Sequence, residues 1–181
     1  MMSAHSALRD ATASSHERVD AAFSSYDLGD AAGYAAFLQA HAEAFLPIEA
    51  ALDAAGVERL IDDWPSRRRS GAIRQDLAQL GEAVPNTPSP TPMAIAGDGQ
   101  IAGALYVLEG SRLGGRFLAR RVPDGFPRAY LDADQAPGNW RKLLDRLDLI
   151  LYDAEAMKSA IGAAQEAFAA FERSGERWLK G

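Results

Sequence analysis

The spacing of apolar residues predicts helices throughout the chain. Between about Ser6 and Phe23, apolar side chains recur three, four or seven positions apart, as they do on one face of an amphipathic helix. No segment shows the strict alternation of a half-buried strand. Alanine, the best helix former, supplies 36 of the 181 residues. The sequence therefore predicts a compact all-α protein, with a single domain spanning residues 1–181.

Turn-forming residues set the boundaries of the predicted helices. Asp30 is a capping residue before a second helix, which contains Pro47, where a kink or a break is expected. A further helix ends at Gly81, and a proline-rich surface connection follows at 85–92. The remaining predicted helices run over about 99–122, 140–152 and 155–179. Glycines are expected to interrupt the first of these three.

Composition excludes several kinds of site. The chain has no cysteine, so disulfides, thiolate metal ligands and iron–sulfur clusters are ruled out. The 19 basic and 25 acidic residues give a net charge of −6, which argues against nucleic-acid binding by the chain as a whole. No run of 18 apolar residues predicts a membrane span, and the N-terminus has no secretion signal. A cytoplasmic protein without membrane contact is the default expectation.

Most clusters of charge have an ordinary interpretation. The run Arg67-Arg68-Arg69 is expected to be solvated. Arg112, Arg116 and Arg120 lie four residues apart and predict a solvated helix face, or a docking patch for an acidic redox partner. His41 lies among phenylalanine and leucine positions, which favours a structural histidine in the core.

The edge of the first helix carries one candidate site. His16 lies at the flank of the apolar stripe, and Arg9 and Asp20 share its edge at helical spacing. Such an edge suits an iron-bound tetrapyrrole, with the imidazole as axial ligand, the arginine facing a propionate and the carboxylate fixing the ligand through a hydrogen-bonded water. An ordinary boundary histidine explains the same pattern.

A glycine-rich helical segment is the second candidate. Gly103, Tyr106, Gly110, Gly114 and Phe117 project to one face. Each interior glycine costs a helix about 0.5–1 kcal/mol relative to alanine. Something must therefore approach this backbone closely, and a flat cofactor and a tightly packed helix remain equal alternatives. A phosphate loop is excluded, because the Lys-Ser/Thr ending and a preceding strand are missing.

The two segments together resemble the haem oxygenase family, and most closely its bacterial members that accompany bacteriophytochromes. The resemblance rests on Leu8-Arg9-Asp10-Ala11-Thr12 with His16, and on Tyr106-Val107-Leu108-Glu109-Gly110-Ser111-Arg112-Leu113-Gly114-Gly115. It continues in Asp76-Leu77-x-x-Leu80-Gly81 and in Phe168-Ala169-Ala170-Phe171-Glu172, so it covers most of the chain.

The resemblance implies a helical fold in which haem lies between a proximal helix that bears a histidine and a kinked, glycine-rich distal helix. On that mapping His16 is the iron ligand and Asp20 supports it. The other implied site residues are Arg9 and, as a weaker candidate, Arg146 for the propionates, Tyr106, Gly110 and Gly114 for the cofactor, and Gly110, Ser111 and Gly114 for catalysis. Ser111 replaces an aspartate that many eukaryotic members have, so the proton path is undefined.

The implied activity is the oxidative cleavage of haem to biliverdin, carbon monoxide and ferrous iron. Haem is then both cofactor and substrate, dioxygen is the second substrate, and an electron-donor protein or reductase supplies electrons. A bacteriophytochrome is a possible acceptor of the biliverdin. The alternatives are a haem carrier or sensor without catalysis on the same fold, and a helical interaction module without a cofactor.

Overall fold

The computed structural model describes residues 2–86, 93–133 and 136–180, and these form helices without any strand. The helices are α1 (Ala4–Phe23), α2 (Ala31–Ala55), α3 (Trp64–Arg67), α4 (Ser70–Gln79), α5 (Asp98–Ala119), α6 (Asn139–Ile150) and α7 (Ala154–Lys180), with a 3₁₀ turn at Val57–Arg59. The all-α prediction is confirmed. The predicted proline-rich connection lies partly outside the described residues, at 87–92.

Side-chain and glycine caps define the helix ends that the sequence predicts. The Ser3 hydroxyl accepts a hydrogen bond from the amide of Ser6 at the start of α1. Asp30 does the same for the amide of Gly33 at the start of α2, at 3.0 Å. Gly56, which has a φ of 80°, ends α2, and Gly81 follows α4 in the same left-handed region. The short α3, which begins at Trp64, was not predicted.

Two predicted breaks in the helices are absent. Helix α2 continues through Pro47, and α5 continues through its glycines to Ala119. A proline in a helix interior costs about 3 kcal/mol, yet Phe45 and Ile48 beside it are both fully buried. The packing of this helix face therefore outweighs the local cost. A kink at Pro47 and a kink in α5 stay predictions.

Helix α7 organises the fold, because α1, α2 and α5 all pack along it. Helix α1 runs in the same direction as α7, with Arg18 bonded to Glu172 and Phe23 packed on Gly175. Helix α5 also runs parallel to α7, as the contact of Gly103 with Ala160 follows that of Gly99 with Ala156. Helices α1 and α5 therefore run in the same direction, yet they pack little on each other.

The prediction for His41 is confirmed, since it is a structural histidine. Its ring lies between Phe37 and Phe171, at centroid distances of 4.4 and 5.4 Å. Nδ1 lies 3.0 Å from the Tyr130 hydroxyl. Burial, helped by the nearby Arg69 charge, lowers the pKa of His41 to about 3. This imidazole is neutral at physiological pH.

The solvated interpretation of three arginines is wrong. Arg67, Arg69 and Arg112 are all buried, whereas Arg68 is about half exposed. Each buried guanidinium donates to at least one backbone carbonyl from another part of the chain. Arg112 Nε bonds Glu109 at 2.7 Å and its Nη2 donates to the carbonyl of Arg67. A buried charge is tolerated only with such partners, which spacing along the sequence does not show. Arg116 and Arg120 are exposed, as predicted.

Candidate functional site

Thr12 of α1 and Tyr106 of α5 join the two helices that carry the candidate residues. Their side chains are within hydrogen-bonding reach of each other, and the Thr12 hydroxyl donates to the carbonyl of Leu8 at 2.7 Å. Burial raises the pKa of the Tyr106 hydroxyl, and the Thr12 bond and the Arg9 charge oppose that rise. Because the helices are parallel, one further turn leads to His16 on α1 and to Gly110 on α5.

The His16 ring is exposed at the surface of α1, and two neighbours orient it. Nδ1 lies 3.3 Å from an Asp20 carboxylate oxygen, one turn along the helix. Phe168 of α7 meets the ring edge-on, with centroids 5.8 Å apart. Because Asp20 faces Nδ1, Nε2 is the nitrogen on the far side of the ring. Asp20 therefore lies directly beside His16, rather than acting through a water as predicted.

The glycines of α5 fall into two classes that the sequence did not distinguish. At Gly103 a Cβ atom would stand 2.8 Å from the carbonyl carbon of Ala160 and closer still to its oxygen, so helix packing requires this glycine. At Gly110 the nearest atom would be Trp140 Cη2, at an ordinary 3.6 Å, and at Gly114 no atom lies within 4 Å. Packing within the described residues gives no reason for a glycine at these two positions.

The two candidate arginines face different surroundings. The Arg9 side chain is 64% exposed, and its charge is close enough to act on the Tyr106 hydroxyl. Arg146 donates from Nε to the carbonyl of Leu60 at 2.7 Å. Asp148, two residues further along α6, binds the amide of Ala4 at the start of α1. Residues two apart project to nearly opposite sides of a helix, so Arg146 faces away from α1.

Ser111 is bound to a buried arginine that sequence reasoning missed. Its hydroxyl donates to the carbonyl of Leu108 at 2.7 Å and accepts from Arg69 Nη2 at 3.0 Å. Arg69 also donates to the Leu108 carbonyl and lies over the rings of Phe45 and Tyr130. The buried guanidinium of Arg69 therefore holds the part of α5 around Leu108 and Ser111 in place. No local pattern distinguishes Arg69 from exposed Arg68.

An aromatic contact between three helices was also missed. Trp140 of α6 lies next to Tyr106, with centroids 6.1 Å apart, and meets the His5 ring of α1 edge-on at 5.7 Å. No sequence pattern pointed to a functional role for His5, which lies near the chain terminus. Trp140 was predicted only to lie in a helix.

Curated relatives identify the family. A heme oxygenase of Xanthomonas campestris pv. campestris (strain 8004) is 36% identical over 148 residues, which are 78% of this chain and 88% of the relative. The chain belongs to the haem oxygenase family. Heme oxygenase PigA of Pseudomonas aeruginosa is 32% identical over 121 residues, which are 62% of this chain and 61% of PigA. No family model matches the chain.

Solved structures of haem oxygenases share this fold. The NO- and CO-bound heme oxygenase from Neisseria meningitidis superposes with a TM-score of 0.79, at 23% identity, over 99% of this chain and 94% of that one. The heme oxygenase from Leptospira interrogans gives a TM-score of 0.74 at 18% identity, over 97% and 100%. In the described part of this haem oxygenase, no helix is long and apolar enough to cross a membrane.

Proposed function

We propose that this protein binds haem between α1 and α5 and cleaves it to biliverdin, carbon monoxide and ferrous iron. Dioxygen is the second substrate, and a separate donor protein or reductase supplies the electrons. Family membership and the shared fold support this activity. The non-catalytic carrier is not favoured, because both curated relatives are named as heme oxygenases.

The contrast among the glycines carries the proposal. Gly103 is required by packing against α7, whereas Gly110 and Gly114 are not required by any described neighbour. Their cost to the helix, about 0.5–1 kcal/mol each, is then offset by a ligand that approaches the backbone. A planar macrocycle fits this requirement, and it also fits between helices that run parallel but pack little on each other.

His16 and its neighbours match the donor set that a haem iron needs. We assign the iron ligand to His16 Nε2, with Asp20 holding Nδ1 and thereby fixing the ring orientation. Arg9 of α1 and Tyr106 of α5 are proposed to meet the propionates, since the two are close enough for the Arg9 charge to act on the Tyr106 hydroxyl. Arg146 is the weaker candidate for that role, because it faces Leu60 instead. Bound haem supplies the iron that activates dioxygen, and its own ring is oxidised.

The distal wall is proposed to be the backbone of Gly110 and Gly114. Bare main chain allows close approach and limits the space beside the iron to small molecules. Ser111 acts here as a positioning residue, because its hydroxyl already donates to Leu108 and accepts from Arg69. Proton delivery then depends on water ordered by the distal backbone rather than on the Ser111 hydroxyl itself.

The proposed partners follow from this chemistry. Haem cleavage needs a source of electrons and releases biliverdin; an electron-donor protein or reductase is the proposed source, and a bacteriophytochrome is one candidate acceptor. Exposed Arg116 on α5 and Arg120 just after it are suited to an acidic donor. A cytoplasmic location remains a proposal.

Haem titration followed by reduction in air tests the function. The wild-type protein is expected to give a strong Soret band, which decays as biliverdin accumulates in the chromatogram. His16→Ala should lose the band while keeping its helical circular dichroism. A stable Soret band under turnover conditions would support the carrier instead, and an unchanged haem affinity in His16→Ala would remove the iron ligand from the proposal.

A further inference from the structure

The Trp140 side chain lies against Gly110, one of the two glycines of the proposed distal wall. In the described residues, Trp140 alone comes within 4 Å of the position where Gly110 would carry a Cβ atom, through Cη2 at 3.6 Å and Cζ3 at 4.0 Å. The edge of the six-membered ring therefore lies against the bare backbone of α5. A ligand that reaches Gly110 must also meet this indole.

The indole is held by aromatic neighbours from two other helices. Tyr106, one turn before Gly110, lies 6.1 Å away with the rings tilted by 32°. His5 of α1 meets the indole edge-on, at 5.7 Å, and lies 6.0 Å from Tyr106. Such contacts favour particular ring orientations and are worth about 0.5–1.5 kcal/mol each. The three rings form a wall that joins α1, α5 and α6.

Helix α6, which carries Trp140, is anchored to the rest of the protein by contacts that do not involve Trp140. Arg67, which is buried, donates from Nη2 to the carbonyl of Asn139 at 3.1 Å. Leu143 and Leu147 are fully buried. The Trp140 side chain itself is only half-buried. The uncovered part of the ring is therefore accessible to a ligand while α6 stays in place.

We infer that Trp140 is a ligand-contacting residue that fixes how the haem plane is oriented between α1 and α5. This inference rests on the proposed function. His5 acts through Trp140 as a positioning residue, since it touches the indole from the α1 side. Neither residue was part of the site that the family resemblance implies.

Fluorine NMR of the whole chain labelled with 5-fluorotryptophan tests the contact directly. The probe is gallium(III) protoporphyrin IX, a diamagnetic stand-in for haem whose ring current shifts nearby nuclei. Trp140→Phe assigns the Trp140 signal, and buried Trp64, bonded to Asp53, is the internal reference. The Trp140 signal should move more than the Trp64 signal when the porphyrin binds. A bound porphyrin that leaves the Trp140 signal in place would overturn the inference.

Binding and orientation of haem provide the second measurement. Trp140→Ala should weaken haem binding about tenfold, which is the size of one lost aromatic contact, and should change the hyperfine-shifted methyl pattern of the cyanide complex. Trp140→Phe should restore the wild-type pattern. Tyr152→Ala is the matched control, because Tyr152 is 81% exposed after α6, and it should change neither readout.

The outcomes separate this inference from the proposed function. Wild-type protein that does not bind haem overturns both. Normal conversion of haem, combined with unchanged binding and an unchanged methyl pattern in Trp140→Ala, overturns only the role of Trp140. If Trp140→Ala does not fold, the fluorine shift in the wild-type protein still shows whether Trp140 contacts the bound porphyrin.

Discussion

Gly103 of α5 and Ala160 of α7 pack backbone against backbone, closely enough that a Cβ atom on Gly103 would overlap the Ala160 carbonyl. Further along the same face, the Trp140 indole edge lies next to Gly110, and no atom lies within 4 Å of the position of a Cβ atom on Gly114. A single glycine stripe therefore serves two purposes. Its first part brings two helices together, and its second part is proposed to admit a ligand.

Alanine substitutions along this stripe should have opposite effects on stability. Gly103→Ala should destabilise the protein by about 1–3 kcal/mol, because the new methyl group overpacks the α5–α7 contact. Gly114→Ala, where no atom lies within 4 Å, should stabilise it by about 0.5–1 kcal/mol through helix propensity. Chemical denaturation of the ligand-free proteins measures both changes.

The same Gly114→Ala protein should bind haem more weakly, because the methyl group occupies the proposed distal wall. A spectrophotometric haem titration measures this effect, and Gly71→Ala is a matched control at another open helical glycine, on α4. Equal haem affinity in wild type and Gly114→Ala would remove Gly114 from the site.

Asp20→Asn should weaken haem binding about 10- to 100-fold, the usual loss when a partner of a metal-bound histidine is changed. Asp20 is exposed and lies 3.3 Å from His16 Nδ1, so the stability of the ligand-free protein should change by less than about 0.5 kcal/mol. Haem titration and thermal unfolding separate the two effects. If Asp20→Asn changes neither the haem affinity nor the thermal stability, Asp20 does not orient the ligand.

Arg69→Met should destabilise the protein by about 3 kcal/mol or more, since it breaks a buried polar network at Leu108 and Ser111. Arg68→Met is the control, and it should cost less than about 1 kcal/mol, because Arg68 is half exposed and pairs with Asp53 at the surface. Its other partner, buried Glu49, lies at a longer 3.7 Å and keeps the amides of Arg69 and Ser70 as donors. Urea unfolding compares the two variants. Similar losses in both would contradict the structural difference between these adjacent arginines.

His41 should make the protein less stable as the pH falls. Its pKa is about 3 in the folded protein and about 6.5 when unfolded, so between these values the unfolded chain binds the extra proton. The free energy of unfolding should therefore decrease below about pH 6.5, by up to about 1.4 kcal/mol per pH unit. Urea unfolding between pH 5 and 8 measures the slope.

His41→Gln is the comparison, because glutamine can still bond Tyr130 but does not titrate. The difference between the wild-type and His41→Gln curves should be flat above pH 7 and should slope below pH 6.5. Parallel curves over the whole range would show that His41 does not set this pH dependence.

Local spacing predicted most of the fold. The capping role of Asp30, the core position of His41 and the pairing of His16 with Asp20 depend on residues within a few positions, and all three are present. The predicted break at Pro47 is wrong, because a local rule does not include the burial of neighbouring Phe45 and Ile48. Propensity gives way wherever packing supplies more free energy.

The sequence by itself determined the all-α class, the position of the candidate histidine on a helix edge and the glycine stripe, since helical periodicity relates residues close together in the chain. Only the tertiary structure decided which arginines are buried. It also decided that Gly103 packs against the backbone of another helix, whereas Gly110 lies next to the Trp140 side chain. These features depend on the packing of residues tens of positions apart, and periodicity along one helix does not contain that information.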